Sequence, residues 1–150
     1  MFDWIWHLRG SFALRPGLST ESILEQVEEA LDRQGKSAVR RSATAIEFND
    51  PLWSSFFQAN WPALAFYDHG RTWISESADR PVFFYDMRSL HGLVFCLCAA
   101  AMFALVGVSE EGPAIGLKLG LGSFAWLYGM NVLITLVRVP LFFRRIVRAS

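Results

Sequence analysis

The residues best suited to redox or metal chemistry are two cysteines and three histidines, and their spacing gives them no shared site. Cys96 and Cys98 lie two positions apart in an apolar run. On a helix their side chains would point about 200° apart, which suits neither one metal ion nor a disulfide. We interpret both as small apolar fillers. His91 borders the same run, but a haem held by two histidines needs a second one on a facing helix. The second apolar run contains none, so we expect no metal and no cofactor.

A small enzyme at a membrane surface would have to use Asp68, His69, Asp86 and Arg88, on residue type alone. The dipeptide Asp68-His69 is typical of a turn, and no nucleophile stands at a recognisable spacing from it. The chain contains no phosphate-binding loop, HExxH, GxSxG or dinucleotide fingerprint. We therefore expect no catalytic residues and rank an enzyme third among the functions considered.

The elements that must position these residues fall into two parts that differ in charge. The 150 residues carry 14 basic and 14 acidic side chains, and 53% of them are hydrophobic. A soluble domain is about 45–50% apolar. Residues 1–88 hold nine basic and twelve acidic residues, and residues 89–150 hold five and two. The apolar content excludes intrinsic disorder, and the lack of a basic excess argues against nucleic-acid binding.

Two apolar runs predict membrane-spanning helices. Residues 90–108 and 119–137 are each nineteen residues long without a charge. About 20 apolar residues cross a hydrocarbon core of roughly 30 Å, and a chain this short cannot bury both runs in a soluble core. The predicted parts are an α+β domain at 1–88, a transmembrane helix at 89–108, an external loop at 109–113, a second transmembrane helix at 114–143 and a basic cytoplasmic tail at 144–150.

Arginines set the expected orientation of this transmembrane hairpin. The positive-inside rule places the end rich in Lys and Arg in the cytoplasm, and the connection 109–113 contains neither. We also expect no signal peptide, because the first residues lack a basic region followed by an apolar one. Twelve arginines against two lysines favour a GC-rich bacterial genome. The prediction is a multi-pass inner-membrane protein with both termini cytoplasmic. The orienting residues are Arg88, Arg138, Arg144, Arg145 and Arg148.

Residues 1–88 predict a small cytoplasmic α+β domain of β-α-β-β-β type. A strand at 4–9 is followed by a bulge or bend at Gly10. A helix then runs from an N-cap at Ser19 to Gly35. Period-two patterns predict further strands at 36–48, 64–67, 71–75 and 82–87, with a turn at 68–70. The last strand leads directly into the first apolar run.

An aromatic segment between two prolines predicts a short amphipathic helix. Its spacings of three, one and four residues place the rings on one side. This side either closes the core of the small domain or faces the membrane or a partner, since Trp is favoured at both kinds of boundary. Both interpretations stay open. The residues are Trp53, Phe56, Phe57 and Trp61.

Small residues recur at helical spacing in both apolar runs and lead to the functional prediction. Helices in a bilayer associate where small residues let their backbones approach. One such face per helix holds a hairpin together, whereas the second run has more than one. Asn131 with Thr135 adds a polar pair that would be costly facing lipid. We therefore expect one face to contact another chain. The small-residue faces comprise Gly92, Cys96, Ala100 and Ala104, then Gly116, Gly120, Gly122, Ala125, Gly129 and Asn131.

The expected function is that of a non-catalytic accessory or assembly subunit of a larger membrane complex. A respiratory or photosynthetic complex is a concrete form of this hypothesis. The expected partners are other integral membrane subunits and the lipid bilayer, and not nucleic acid. The alternative is a homo-oligomeric channel or transport component, which needs a polar stripe along a span. Lys118, Asn131 and Thr135 would form that stripe.

Overall fold

A computed structural model describes residues 6–15, 17–36, 38–50, 63–64, 66–76 and 80–149 of the chain. Within these residues an antiparallel sheet precedes two long apolar helices, which makes a small α+β domain followed by a helical hairpin. The described strands are β1 (His7–Ala13), β2 (Ala38–Arg41), β3 (Ala45–Asn49), β4 (His69–Glu76) and β5 (Pro81–Arg88), and the helices are α1 (Thr20–Arg33), α2 (Leu90–Glu111) and α3 (Pro113–Ala149).

The five strands lie in the order β1-β5-β4-β3-β2, with every neighbouring pair antiparallel. The first strand of the chain therefore pairs with the last, and His7 stands opposite Arg88. Side chains alternate between the two faces of a strand. On β5 this alternation buries Phe83, Tyr85 and Met87 on one face. Asp86 and Arg88 point to the other face.

Helix α1 lies where the sequence predicts it, but two predicted strands are wrong. Residues 36–48 do not form one strand, because the chain reverses after β2. The Ser42 N–H donates to the Ala45 carbonyl at 2.8 Å, and the Ala45 N–H donates to Ser42 Oγ at 3.1 Å. The described part of 64–67 is a turn closed by a bond from the Tyr67 N–H to the Leu64 carbonyl at 3.0 Å.

Two further local predictions are corrected. The predicted turn at 68–70 instead leads into β4, which begins at His69. Gly10 is neither a bulge nor a bend, because it pairs with Tyr85 in an uninterrupted register. The Tyr85 side chain lies over this glycine, and a Cβ there would collide with its ring. Glycine is needed at position 10 for close approach.

Two helices cover one face of the sheet and close a single hydrophobic core. Helix α1 contributes four fully buried residues, Ile23, Leu24, Val27 and Leu31. Helix α3 covers the rest of this face of the sheet. Its Phe143 ring stacks on Tyr85, with 5.1 Å between the ring centroids, and lies 5.4 Å from Phe83. The α3 residues buried in this core are Val139, Phe143 and Val147.

Helix α3 therefore belongs to both parts of the molecule. At 1.5 Å per residue its 37 residues extend about 55 Å, against about 33 Å for the 22 residues of α2. Its first part packs along α2 and its last turns lie on the sheet. The segment 144–150, expected as a basic tail, continues α3 as far as Ala149, and Pro140 lies within the helix. In place of a five-residue loop, Gly112 alone separates α2 from α3.

The surface of α2 and α3 is unusually apolar. Nineteen large hydrophobic side chains of the described residues are exposed, and all lie between Leu90 and Leu141. Soluble monomers rarely expose apolar patches above a few hundred Å². Both helices are long and apolar enough to cross a membrane, and little of either is buried inside the chain. A buried core helix of a soluble protein would not show such exposure.

Candidate functional site

The junction between the sheet and α2 is organised by one buried carboxylate. Asp68 Oδ2 accepts hydrogen bonds from Arg88 Nη2 at 2.8 Å and from Arg88 Nε at 3.0 Å. Asp68 Oδ1 accepts the backbone N–H of His91 at 3.2 Å, in the first turn of α2. The first N–H groups of a helix have no partner within it, and negative charge at this end is favourable. Asp68 thus joins the domain to the first apolar helix.

A second buried ion pair lies next to this junction. Lys36 is only 2% exposed, and its Nζ donates to Asp50 and to the Tyr67 carbonyl, the latter at 2.9 Å. The Asp50 N–H in turn donates to the Asp68 carbonyl at 2.7 Å. A continuous set of polar contacts therefore runs from the end of α1 to the start of α2. Its charged atoms are engaged in holding these elements together.

The four residues considered for catalysis are divided between two ion pairs and one strand position. Asp68 pairs with Arg88 at the junction, whereas Asp86, on the same face of β5 as Arg88, pairs with His7 and Arg9. The His7 Nδ1 lies 2.6 Å from Asp86 Oδ1, and Arg9 Nε donates to Asp86 Oδ2 at 2.8 Å. His69 begins β4 opposite Arg88.

The His7–Asp86 pair joins residues 79 positions apart, and sequence reasoning missed it. Only the pairing of β1 with β5 brings them together. Burial raises the pKa of the Asp86 carboxyl, but the hydrogen bonds and positive charges of His7 and Arg9 outweigh it. The net pKa lies below its usual 3.8. Within the described ranges, no three His, Cys, Asp or Glu side chains converge as a metal site would require.

One small-residue face holds the hairpin together. A Cβ added at Gly116 would lie 2.6 Å from the Ala104 carbonyl oxygen, and one added at Gly120 would lie 2.8 Å from Ala104 Cβ and 3.2 Å from the Ala100 carbonyl oxygen. Gly107, which the sequence reasoning did not single out, faces Gly116, and a Cβ there would come 2.8 Å from its Cα. The backbones of α2 and α3 therefore touch along this face.

The remaining predicted packing residues of α2 have different surroundings. Cys96 is buried, at 1% exposure. Gly92 lies against the ring of Phe66 from the sheet domain, where any Cβ would collide with it. Close approach at Gly92 therefore joins α2 to the domain and not to α3.

A second face of α3 is open. A Cβ added at Gly122 or Gly129 would meet no other described atom within 4 Å, and Ala125 between them is exposed. Asn131 Nδ2 donates to the Leu127 carbonyl of its own helix at 2.8 Å, and Thr135 Oγ1 donates to the Asn131 carbonyl at 2.9 Å. One donor of each side chain is therefore engaged within α3, and Thr135 also hydrogen-bonds with Tyr67. That Asn131 contacts another chain stays a prediction, and the open glycine face remains.

An apolar cavity of about 440 Å³ lies where the sheet domain meets α3, beside Ser89 at the start of α2. Tyr67 lines it, and burial raises the pKa of this phenol to about 12, although a hydrogen bond with Thr135 works in the opposite direction. The phenol is therefore neutral at physiological pH. The lining residues are Trp6, His7, Leu8, Phe66, Tyr67, Ser89, Phe124, Tyr128, Gly129, Val132, Thr135 and Leu136.

The predicted orienting arginines lie at the junction and on the last part of α3. Arg88 is paired with Asp68, while Arg138, Arg144, Arg145 and Arg148 are all exposed on the last part of α3. The aromatic segment with Trp53, Phe56, Phe57 and Trp61 lies outside the described residues.

Comparison of the chain with protein-family models, with curated proteins and with solved structures finds no match.

Proposed function

We propose that this chain is a non-catalytic accessory or assembly subunit of a larger complex in a bacterial inner membrane. Helices α2 and α3 span the bilayer, and the open face of α3 docks against a helix of another membrane subunit. The observation that carries the proposal is the contrast between two pairs of glycines. Gly116 and Gly120 are covered by α2, whereas a Cβ added at Gly122 or Gly129 would meet no other described atom within 4 Å.

The open glycines have an energetic cost that a docked helix would offset. Glycine in a helix interior is about 1 kcal/mol less favourable than alanine. In a bilayer, lipid tails solvate large apolar side chains well, so helices associate chiefly where small residues allow close backbone contact. Gly122 and Gly129 provide such a place seven residues apart, with Ala125 between them. The hairpin itself does not use it.

The arrangement of charges supports a cytoplasmic sheet domain. The domain and the last part of α3 lie at the same end of the hairpin, because β5 leads into α2 and α3 returns to the sheet. That end carries the four exposed arginines of α3, while Glu110 and Glu111 lie beside the connection at the other end. The positive-inside rule favours this orientation.

The test is whether the open face is needed for a complex but not for folding. Gly122→Leu/Gly129→Leu would be expressed as the full chain in its native membrane and extracted in mild detergent. We expect the native chain to migrate in a complex and the double variant to migrate alone, with unchanged thermal unfolding. The control is Leu117→Phe, at a side chain that is 62% exposed elsewhere on α3. A native chain that migrates alone as a monomer would refute the proposal.

A homo-oligomeric channel ranks second. A conducting pore needs polar groups directed along a span. The Asn131 and Thr135 side chains instead bond to carbonyls of their own helix, so few polar groups are left to line a pore. Unaltered ion flux in liposomes carrying Asn131→Leu would count against this alternative. A small surface enzyme ranks third, since its four candidate residues lie in separate ion pairs or strand positions.

A further inference from the structure

A groove of about 560 Å³ separates the end of α1 from α3, just beyond the exposed apolar surface. Three arginines line it, and its lining contains no carboxylate. Arg138 and Arg145 stand seven positions apart, on one side of α3. Arg33 comes from the last turn of α1. The lining residues are Ala30, Arg33, Gln34, Ala63, Arg138, Leu141, Phe142, Arg145 and Ile146.

The positive charge of this groove is largely uncompensated. Arg33 pairs with Glu29, but both side chains are at least 65% exposed, and exposed pairs of this kind contribute little. Neither Arg138 nor Arg145 forms an ion pair with a described residue. Residues 51–62, which precede the lining residue Ala63, contain no Asp or Glu in their sequence.

Carbonyl oxygens lie at the end of α1 beside the groove, and two of them are already hydrogen-bonded within the helix end. The Leu31 carbonyl accepts the N–H groups of Gln34 and Lys36, and the Asp32 carbonyl accepts that of Gly35. These two carbonyls are thus already engaged by backbone N–H groups of the helix end.

The depth of the groove matches the headgroup layer of a bilayer. Arg138 lies next to Val137, which is 61% exposed, and the exposed large apolar side chains end at Leu141. From Ile115, the first of them on α3, to Arg138 the helix rises about 35 Å. A hydrocarbon core is about 30 Å thick, so Arg138 reaches the adjoining polar layer.

The chemistry of the lining fits a phosphate attached to an apolar body. Guanidinium groups bind phosphate oxygens through paired, charge-assisted hydrogen bonds. Leu141, Phe142 and Ile146 provide apolar surface beside them. Basic pockets between helices on the cytoplasmic side of a membrane suit anionic headgroups.

We propose that this groove binds the phosphate of an anionic glycerophospholipid headgroup, held by Arg33, Arg138 and Arg145. The proposal rests on the membrane insertion of α2 and α3 in the proposed function, and not on the docking face of α3. The bound lipid would tie α1 to α3 at the surface of the membrane.

The test measures lipid retained by the purified full chain. The chain would be reconstituted in phosphatidylcholine nanodiscs with 20% phosphatidylglycerol, extracted in mild detergent, and examined by native mass spectrometry. The groove variant is Arg138→Gln/Arg145→Gln. The matched control is Arg144→Gln/Arg148→Gln, which removes the same charge from exposed positions on the same helix, outside the groove lining. We expect the groove variant to retain about tenfold less phosphatidylglycerol than the control.

Three outcomes would overturn the proposal. Equal losses in the two variants would show general charge attraction, and no loss in either would show that the groove holds no lipid. Displacement of the lipid by about 1 mM inorganic phosphate would identify a site for free phosphate. The Gly122→Leu/Gly129→Leu variant should retain its lipid whether or not it loses its complex, so the two proposals can fail separately. Unchanged thermal unfolding of each variant confirms that folding is intact.

Discussion

The guanidinium of Arg88 donates two hydrogen bonds to a single carboxylate oxygen of Asp68, twenty positions earlier in the chain. The other oxygen of Asp68 is thereby left to accept the His91 N–H in the first turn of α2. One buried side chain consequently serves as an ion-pair partner inside the sheet domain and as the cap of an apolar helix.

Replacing Asp68 with Asn should destabilise this junction. The substitution removes the charge that both Arg88 and the helix end prefer, and hydrogen bonds to charged groups contribute about 1.5–3 kcal/mol. We expect the free energy of unfolding in detergent to fall by about 2 kcal/mol, with faster proteolysis near Ser89. Glu47→Gln is the control, because the Arg71–Glu47 pair is half-exposed and should contribute at most about 1 kcal/mol. Equal effects of the two substitutions would contradict the junction role.

The same substitution should destabilise the hairpin at one glycine face of α3 and leave its stability unchanged at the other. Gly116→Val places a side chain where even a Cβ would lie 2.6 Å from backbone atoms of Ala104 and Val108. Overpacking of this kind costs about 1–3 kcal/mol, and we expect a lower thermal midpoint in detergent. Gly122→Val should leave the midpoint close to that of the native chain, because the space there is open. A hairpin that tolerates both substitutions would disprove the assigned packing face.

Acid should weaken the edge of the sheet through Asp86. His7 and Arg9 outweigh the effect of burial and hold the pKa of Asp86 below its unfolded value of 3.8. At pH values between the folded pKa of Asp86 and its unfolded pKa, the folded chain therefore binds fewer protons than the unfolded chain. The contribution of Asp86 is therefore complete above about pH 3.8. It is lost as pH falls through the folded pKa.

The measurement for Asp86 is the urea midpoint as a function of pH. Asp86→Asn should be less stable than the native chain at pH 7, and the difference between the two should shrink as pH falls below about 4. Parallel curves for the two chains over the whole range would contradict the ion pair.

The buried Lys36 should tolerate loss of its charge only together with that of Asp50. Lys36→Met leaves the Asp50 carboxylate buried without its cation, and breaking a buried pair in this way costs about 3–5 kcal/mol. Lys36→Met/Asp50→Asn should recover part of that loss, as measured by urea unfolding. Lys36→Met and Asp50→Asn are also measured singly. If the double variant loses as much free energy of unfolding as the two single variants together, or more, the pair is not coupled as described.

The sequence predicts the elements whose signals are local. Ser19, Gly35 and an apolar face predict helix α1, and the length and lack of charge of the two apolar runs predict α2 and α3. The reversal after β2 carries no Gly, Pro, Asn or Asp, and depends on the hydroxyl of Ser42, so period-two counting runs through it. Strand order, and with it the His7–Asp86 pair, depends on contacts between distant residues that a local pattern does not encode.

The end of α3 shows which signal was overlooked. Pro140 and the arginines after it favour a helix end and a tail. Val139, Phe143 and Val147 nevertheless recur every fourth residue, as a buried helical face does. The polar pair in the same helix shows a second limit of sequence patterns. Asn and Ser/Thr side chains can bond to the carbonyl one turn earlier, so part of the hydrogen-bonding capacity of Asn131 is met within α3.

The position of Val139, Phe143 and Val147 in the chain fixes an order of events during biosynthesis. The described strands are all translated before α2, yet these three core residues emerge from the ribosome only after α2 and the first part of α3. The core of the sheet domain therefore stays uncovered on one side until α3 has been made. Completion of the domain thus follows synthesis of the entire hairpin, and a chain stalled before α3 would present an unfinished, aggregation-prone sheet.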